Sequence, residues 1–315
     1  MTSRPETSSP ETSRTDPAPA SVVVGINDAP DTERGPELSW SAAEADRRHV
    51  PLHLVHAVHP RLAALADDPS VTADDDRAAL PGRLAADVLA RARACVRRQW
   101  PQLTITTASA VGSPARLLLD EARDAALLVI GSRGHGQLRG MLSASVGFQL
   151  AGHVDCPLVV VPAQPNADTG RLVVGIDTSS ASDRVLAYAF EEASRRHATL
   201  AVVHAAGVPT YGWGAGVPVV IDWDQLEAEM SDSVEECLAP WLSKYPDVVV
   251  RRVLAHGEPL PALLDEARQA DLLIVGSRGR GGFASLALGS VSHAVLHATA
   301  STPVAVVATR RAGGR

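Results

Sequence analysis

Short unbroken apolar runs alternate along this chain with longer stretches in which apolar residues recur every three or four positions. The alternation is clearest in the second half. Residues 172–176 and 272–275 are continuous apolar runs, and 199–205, 248–254 and 304–307 have strand length and composition. Between them, 182–197 carries Val185, Leu186, Ala189, Phe190 and Ala193 at helical spacing, and 259–269 carries Leu260, Leu263, Leu264 and Ala267 on one face. Pro259 suits the first turn of that second helix. The pattern also predicts a long helix within 223–245 and a shorter one over 290–298. Apolar strands separated by helices imply an α/β fold whose mostly parallel sheet is covered on both faces. Ligands of such sheets sit beyond the carboxyl ends of the strands, near the switch in strand order.

The pattern is written twice. Gly131-Ser132-Arg133-Gly134 repeats as Gly276-Ser277-Arg278-Gly279, Gly112-Ser113-Pro114 as Gly257-Glu258-Pro259, and Asp120-Glu121-Ala122-Arg123 as Asp265-Glu266-Ala267-Arg268, all at an offset of 145 residues (276 − 131). Upstream, Val23-Val24-Gly25-Ile26 matches Val173-Val174-Gly175-Ile176, Arg47-Arg48-His49 matches Arg195-Arg196-His197, and Val55-His56-Ala57 matches Val203-His204-Ala205. The order is kept along the whole length, which indicates tandem domain duplication rather than a short solenoid repeat. The predicted division is a tail over 1–20, a first domain over 21–163, a polar linker over 164–170, a second domain over 171–308 and a tail over 309–315.

Composition narrows the class. The chain has 315 residues, enough for two ordinary domains, and a hydrophobic content of 45% supports real cores. Aromatic residues are only 3%, so Ala, Val and Leu must fill those cores. The net charge of −7, without a long basic run, argues against a nucleic-acid surface. Cys95, Cys156 and Cys237 lie far apart and form no pair motif, which suits packing roles in a reduced compartment. The first twenty residues are rich in Ser, Thr, Pro and Glu and do not read as a secretory signal. No stretch is apolar and long enough to span a membrane, so the expectation is a cytoplasmic protein.

The repeated loop carries the candidate chemistry. Gly276 follows the apolar run 272–275 directly, so the loop leaves the carboxyl end of a strand and returns at Gly289-Ser290, the predicted start of a helix. Glycines let backbone amides approach a ligand, either by taking positive φ or by lacking a Cβ. A helix start offers unpaired N–H groups and the positive end of a dipole. Ser290 and Ser292 add hydroxyls. This chemistry suits a polyphosphate. Other phosphate motifs do not fit. Lys244 is the only lysine and lies outside any Gly-Lys-Ser/Thr sequence. Gly279-Arg280-Gly281-Gly282-Phe283-Ala284 follows a late strand, and no Asp or Glu comes after it, against the dinucleotide fingerprint.

Gly276-x2-Gly279-x9-Gly289-Ser290, with Asp177 after Val174-Gly175-Ile176, resembles the ATP-binding signature and strand-one aspartate of the universal stress protein family. The resemblance covers about 21–163 and 171–308. It implies two tandem sandwich domains of Rossmann-like type, each with a five-stranded parallel sheet and helices on both faces. It further implies adenosine near Asp177 and Ala205, and phosphates, with Mg²⁺, against Gly276, Gly279, Gly289, Ser290, Val291 and Ser292. Any hydrolysis would be slow, and no catalytic residues or protein-held metal site are expected. By the same analogy the strands at 157–161 and 303–307 pair the two halves within the chain, and the whole chain forms a homodimer. The expected role is an ATP-binding protein of stress response or regulation. A dimerisation module without a ligand is the second reading. An adenylating or ATP-pyrophosphatase enzyme is a third, disfavoured because strand one ends in Ile176-Asp177-Thr178-Ser179 rather than in the motifs of that class.

The first copy departs from the signature. Its weaker counterpart site comprises Asn27, Ala57, Gly131, Gly134, Ala144 and Ser145, with Asn27 in place of Asp177, Ala144 in place of Gly289 and Gly147 in place of Ser292. Asn loses the charge. If Gly289 needs positive φ, Ala at that position costs about 1 kcal/mol or crowds a phosphate. ATP is therefore expected mainly in the second domain. Three other features invite readings. His53, His56 and His59 have metal-like spacing, but on a regular strand His56 faces away from the other two. His135 stands in the first loop where Arg280 stands in the second, and Tyr211-Gly212-Trp213-Gly214-Ala215-Gly216 reads as a surface loop or a lid.

Overall fold

Each copy folds in the alternating order that its apolar pattern predicts. The computed structural model describes residues 20–27, 35–60, 79–132, 144–166, 168–206, 222–279 and 288–309. The first copy runs β1 (Val22–Ile26), α1 (Pro36–Arg48), β2 (Leu52–Val58), α2 (Leu80–Gln99), β3 (Ile105–Val111), α3 (Pro114–Glu121), β4 (Leu127–Gly131), α4 (Ala144–Ala151) and β5 (Leu158–Val161). The second runs β6 (Arg171–Ile176), α5 (Ser182–Arg196), β7 (Thr199–Ala206), α6 (Trp223–Lys244), β8 (Val250–His256), α7 (Pro259–Ala267), β9 (Leu272–Gly276), α8 (Ser290–Ala298) and β10 (Val304–Val307). The strand expected at 248–254 begins later. Val248 is still held in the turn that ends α6, its N–H donating to the Tyr245 carbonyl at 3.2 Å.

Both halves have the strand order 3-2-1-4-5, parallel throughout. They join through β5 and β10, which pair antiparallel with Val304 opposite Val160 and Val306 opposite Leu158. The result is one ten-stranded sheet with a pseudo-twofold axis at its centre. The strand order reverses between β1 and β4 and between β6 and β9, so each half offers a crevice there.

Small residues set the spacing of the layers. Gly25 and Gly175 lie under Leu118 of α3 and Leu263 of α7, and a Cβ on Gly175 would come within 2.8 Å of Leu263. Gly112 (φ 148°) and Gly257 (φ 99°) take backbone angles that L-residues rarely adopt, and each is followed two residues later by the proline that opens α3 or α7. One apolar layer lies under α1, α2, α5 and α6, with Leu38, Val88, Leu186 and Leu238 in it. The other lies under α3, α4, α7 and α8, with Leu118, Leu150, Leu263 and Val295. Both layers run continuously across the junction of the two halves.

The junction also carries a buried ionic cluster. Glu44 on α1 and Glu192 on α5 are fully buried. Arg48 bonds Glu44 at 2.6 Å and crosses to Glu192, while Arg196 bonds Glu192 at 3.0 Å and crosses to Glu44 at 2.6 Å. Each cross-domain arginine also lies over an aromatic ring of the opposite half, Arg48 over Tyr188 and Arg196 over Trp40. Burial opposes the charge on Glu44, but Arg196, Arg48 and Arg47 together hold its carboxyl below its ordinary value. Glu192 moves the other way, raised by burial and by neighbouring Glu44 against the pull of the arginines. On the opposite face of the sheet Phe148 of α4 stacks on its repeat counterpart His293 of α8, with ring centroids 4.5 Å apart.

Candidate functional site

The crevice of the second half is built from three chain ends that meet. The first is the end of β6. Asp177 turns its Oδ1 onto its own chain, accepting from the Ser179 N–H at 3.1 Å, the Ser179 hydroxyl at 2.6 Å and the Ser182 hydroxyl at 3.0 Å. This Asx-type turn fixes the carboxylate and leads into α5. Thr178 within it has φ 56°, a conformation unusual for a β-branched residue.

The second is the end of β9. The Ser277 N–H donates to the Val307 carbonyl at 2.7 Å, and the Ser277 hydroxyl lies 3.2 Å from that of Thr309, so the loop is anchored to the edge of β10. Gly279 then passes so close to Asp177 that a Cβ there would stand 2.5 Å from Oδ2. The requirement for glycine at 279 is close approach rather than backbone angle, because its φ lies outside the left-handed region.

The third is the start of α8. Gly289 returns the chain to the loop by donating its N–H to the Ser277 carbonyl at 2.8 Å. It is the N-cap residue, and having no side chain it leaves the first turn without a side-chain cap from that position. The first-turn N–H groups of Ser290, Val291 and Ser292 are therefore available to an anion at the positive end of the helix dipole. Gly289 has φ −72° and ψ 158°, ordinary extended backbone, and a Cβ there would make only normal contacts at 3.4 Å. The condition under which alanine would be strained at this position is therefore not met, which leaves crowding of a phosphate as the way in which Ala144 could weaken the first copy.

These ends enclose a cleft of about 220 Å³. Asp177, Ala205, Gly276, Gly279, Gly289, Ser290, Val291 and Ser292 all line it, so the eight candidate nucleotide-site residues of the second copy meet at one place. Ser292 has a different job from the one its hydroxyl suggested. It is buried, and its Oγ donates to the Gly276 carbonyl, bracing the loop against α8. Other lining residues were not singled out as site residues, among them Ser182, Val185, Leu263 and Arg278. Arg278 is the one basic side chain among the described residues of the lining and Asp177 the one acidic side chain. Arg278 stood inside the repeated motif, and its charge was the available clue.

The first copy differs. Asn27 follows β1, Ala57 lies in β2, Gly131 ends β4, and Ala144 and Ser145 begin α4. Gly134 and His135 lie outside the described residues, as do Arg280 and the stretch 211–216. One residue of this half was not anticipated. Glu37, in the first turn of α1, is buried, and its carboxylate lies against Gly131. The metal-like histidines do not converge. His53 is bound by Thr106 at 2.7 Å and Glu121 at 3.2 Å, while His56 meets the Ile26 carbonyl at 2.9 Å, as His204 meets that of Ile176 at 3.1 Å. Among the described residues no group of three His, Cys, Asp or Glu side chains is placed to hold a metal.

The duplicated fold agrees with comparison to known proteins. The model of the universal stress protein family matches twice, at residues 20–162 and 169–308. The chain belongs to the universal stress protein family. It is 34% identical over 291 residues to universal stress protein Rv2623 of Mycobacterium tuberculosis, covering 90% of this chain and 95% of that one. It is also 34% identical over 295 residues to a universal stress protein of Mycolicibacterium smegmatis, with 92% and 97% covered. Among solved structures, a universal stress protein from Archaeoglobus fulgidus superposes with a TM-score of 0.62 at 16% identity, covering 91% of this chain and 96% of that one. A putative universal stress protein from Pseudomonas aeruginosa gives 0.62 at 17% identity, with 92% and 94% covered. These likenesses span both halves, so this is a tandem universal stress protein whose fold is shared over nearly its whole length. No helix among the described residues is long and apolar enough to cross a membrane.

Proposed function

We propose that this universal stress protein binds ATP in its second domain and acts in stress response as a nucleotide-dependent regulator. The supporting observation is the convergence of the Gly276–Gly279 turn, Asp177 and the uncapped start of α8 on one cleft. Phosphates lie over Gly276, Gly279 and the first-turn amides of α8, where backbone donors and the helix dipole favour negative charge. The base occupies the apolar side formed by Ile176, Val203 and Leu263, and the ribose lies toward Asp177. The described residues supply no cage for a free metal ion, so magnesium arrives with the phosphates, with Asp177 as the carboxylate at hand. Hydrolysis is slow or absent in this reading, the first domain serves as structural partner, and the whole chain works as a cytoplasmic homodimer.

Gly279→Ala tests the site. Its Cβ would push into Asp177 and lift the loop from its seat. Calorimetric titration with Mg-ATP is expected to show one site in the parent chain and at least tenfold weaker binding in the variant. Unchanged binding in Gly279→Ala would remove the site assignment.

A further inference from the structure

We infer that His293 and His297, one turn apart on α8, chelate a divalent transition ion of the zinc class. The pair stands apart from the nucleotide cleft, whose described lining includes neither residue. Residues four apart on a helix share a face, and two histidines at that spacing can hold one metal ion through their imidazole nitrogens. Here the two ring centroids are 4.6 Å apart, with the ring planes inclined at 57°. Both rings also rest on Phe148 of α4, at 4.5 Å for His293 and 4.8 Å for His297. The three centroids form a nearly equilateral triangle that keeps the two imidazoles together. Phe148 and His293 are stacked, with 26° between their planes. A stacked contact occupies the faces of a ring, whereas the nitrogens of imidazole lie at its edge. Both histidines are exposed, and neither side chain has a hydrogen bond or ion pair among the described residues. His53, His56, His153 and His204, by contrast, each have a ring nitrogen engaged by a protein partner. Two imidazoles suit zinc, copper or nickel rather than magnesium, which takes oxygen ligands. Two protein nitrogens leave two positions of a tetrahedral zinc ion to water, so the ion stays open to solvent. The first domain has no such pair, because Phe148 itself stands where His293 does and Gly152 where His297 does (297 − 145). One ion per chain follows.

The same three rings also pack α4 against α8. A role limited to packing predicts lower stability on substitution and no uptake of metal. The test uses the full-length chain without an affinity tag, stripped of metal by a chelator and titrated with zinc chloride by calorimetry in the absence of nucleotide. The expected outcome is one zinc per chain at micromolar concentration. His293→Asn and His297→Asn are each expected to weaken that uptake at least tenfold, and either one that keeps the parent's urea midpoint suffices for the reading. His153→Asn, which removes an exposed ring already bound to the Gln149 carbonyl, is expected to leave uptake unchanged. No uptake at micromolar zinc, or uptake of parental strength in both variants of the pair, would overturn the inference, as would an equal loss in His153→Asn. Because nucleotide is absent from the titration, such a failure would leave the proposed ATP site untouched.

Discussion

Tyr188 buries a hydroxyl that finds no partner among the described residues, in the layer between α1 and α5. Burial, with Glu192 adding to it, pushes the phenol well above its ordinary pKa, so the group stays neutral and contributes ring rather than charge beneath Arg48. A buried polar atom left unpaired costs about 1–3 kcal/mol. Tyr188→Phe is therefore expected to raise stability by about 1 kcal/mol, measured as a shift in the urea midpoint at unchanged slope. A loss of stability would show that the hydroxyl has a partner after all. Single residues were legible in the sequence when their role is local. Asp177 stands at the strand end where the sequence put it, and the turn it makes uses its near neighbours Ser179 and Ser182. Glu37 was not legible, since its meaning depends on α1 carrying it against Gly131, nearly a hundred positions away. For Gly289 the sequence left two readings open, because composition alone cannot tell a glycine needed for its φ from one at an ordinary helix cap, and its φ of −72° removes the first.

At the level of elements, α5 was predicted as a helix and α1 followed from the repeat, but their mutual packing was not foreseen. Of the repeat Glu-x2-Arg-Arg, present as Glu44 to Arg48 and Glu192 to Arg196, only the Arg-Arg pair was noted in the sequence, as identity between copies. The pseudo-twofold axis turns it into an interface, with each glutamate held by arginines from both halves. Removing one carboxylate leaves Arg48 and Arg196 with one buried acid between them. Breaking a buried ion pair in this way typically costs roughly 3–5 kcal/mol. Glu192→Ala is expected to destabilise the chain by that amount in chemical denaturation, far more than Glu191→Ala, whose carboxylate is more than half exposed and pairs only with Arg195 among the described ion pairs. Similar midpoints for the two variants would mean that the cluster contributes nothing to holding the halves together. The antiparallel joint of β5 to β10 was anticipated only through family likeness, because an apolar run of four residues does not specify its neighbour.

The whole molecule is a duplicated fold that has kept its architecture while several side chains at the two crevices differ. Both halves retain the same strand order, the same glycine-led starts of α3 and α7 and the same histidine-to-carbonyl bonds beside the crevice. Those features follow from burial and chain geometry, which act alike on both copies and were readable from the repeat. The crevices differ through the few side chains that face into them. One has Asp177 and Val185 against the Gly276–Gly279 turn, while in the other Asn27 follows β1 and Glu37 lies against Gly131. Native mass spectrometry of the full-length chain with Mg-ATP tests this asymmetry most directly, since it counts ligands per chain and resolves the oligomer in the same spectrum. One nucleotide per chain, lost in Gly279→Ala, is the predicted result. Either no nucleotide on the wild-type chain, or two that persist in Gly279→Ala, would contradict it.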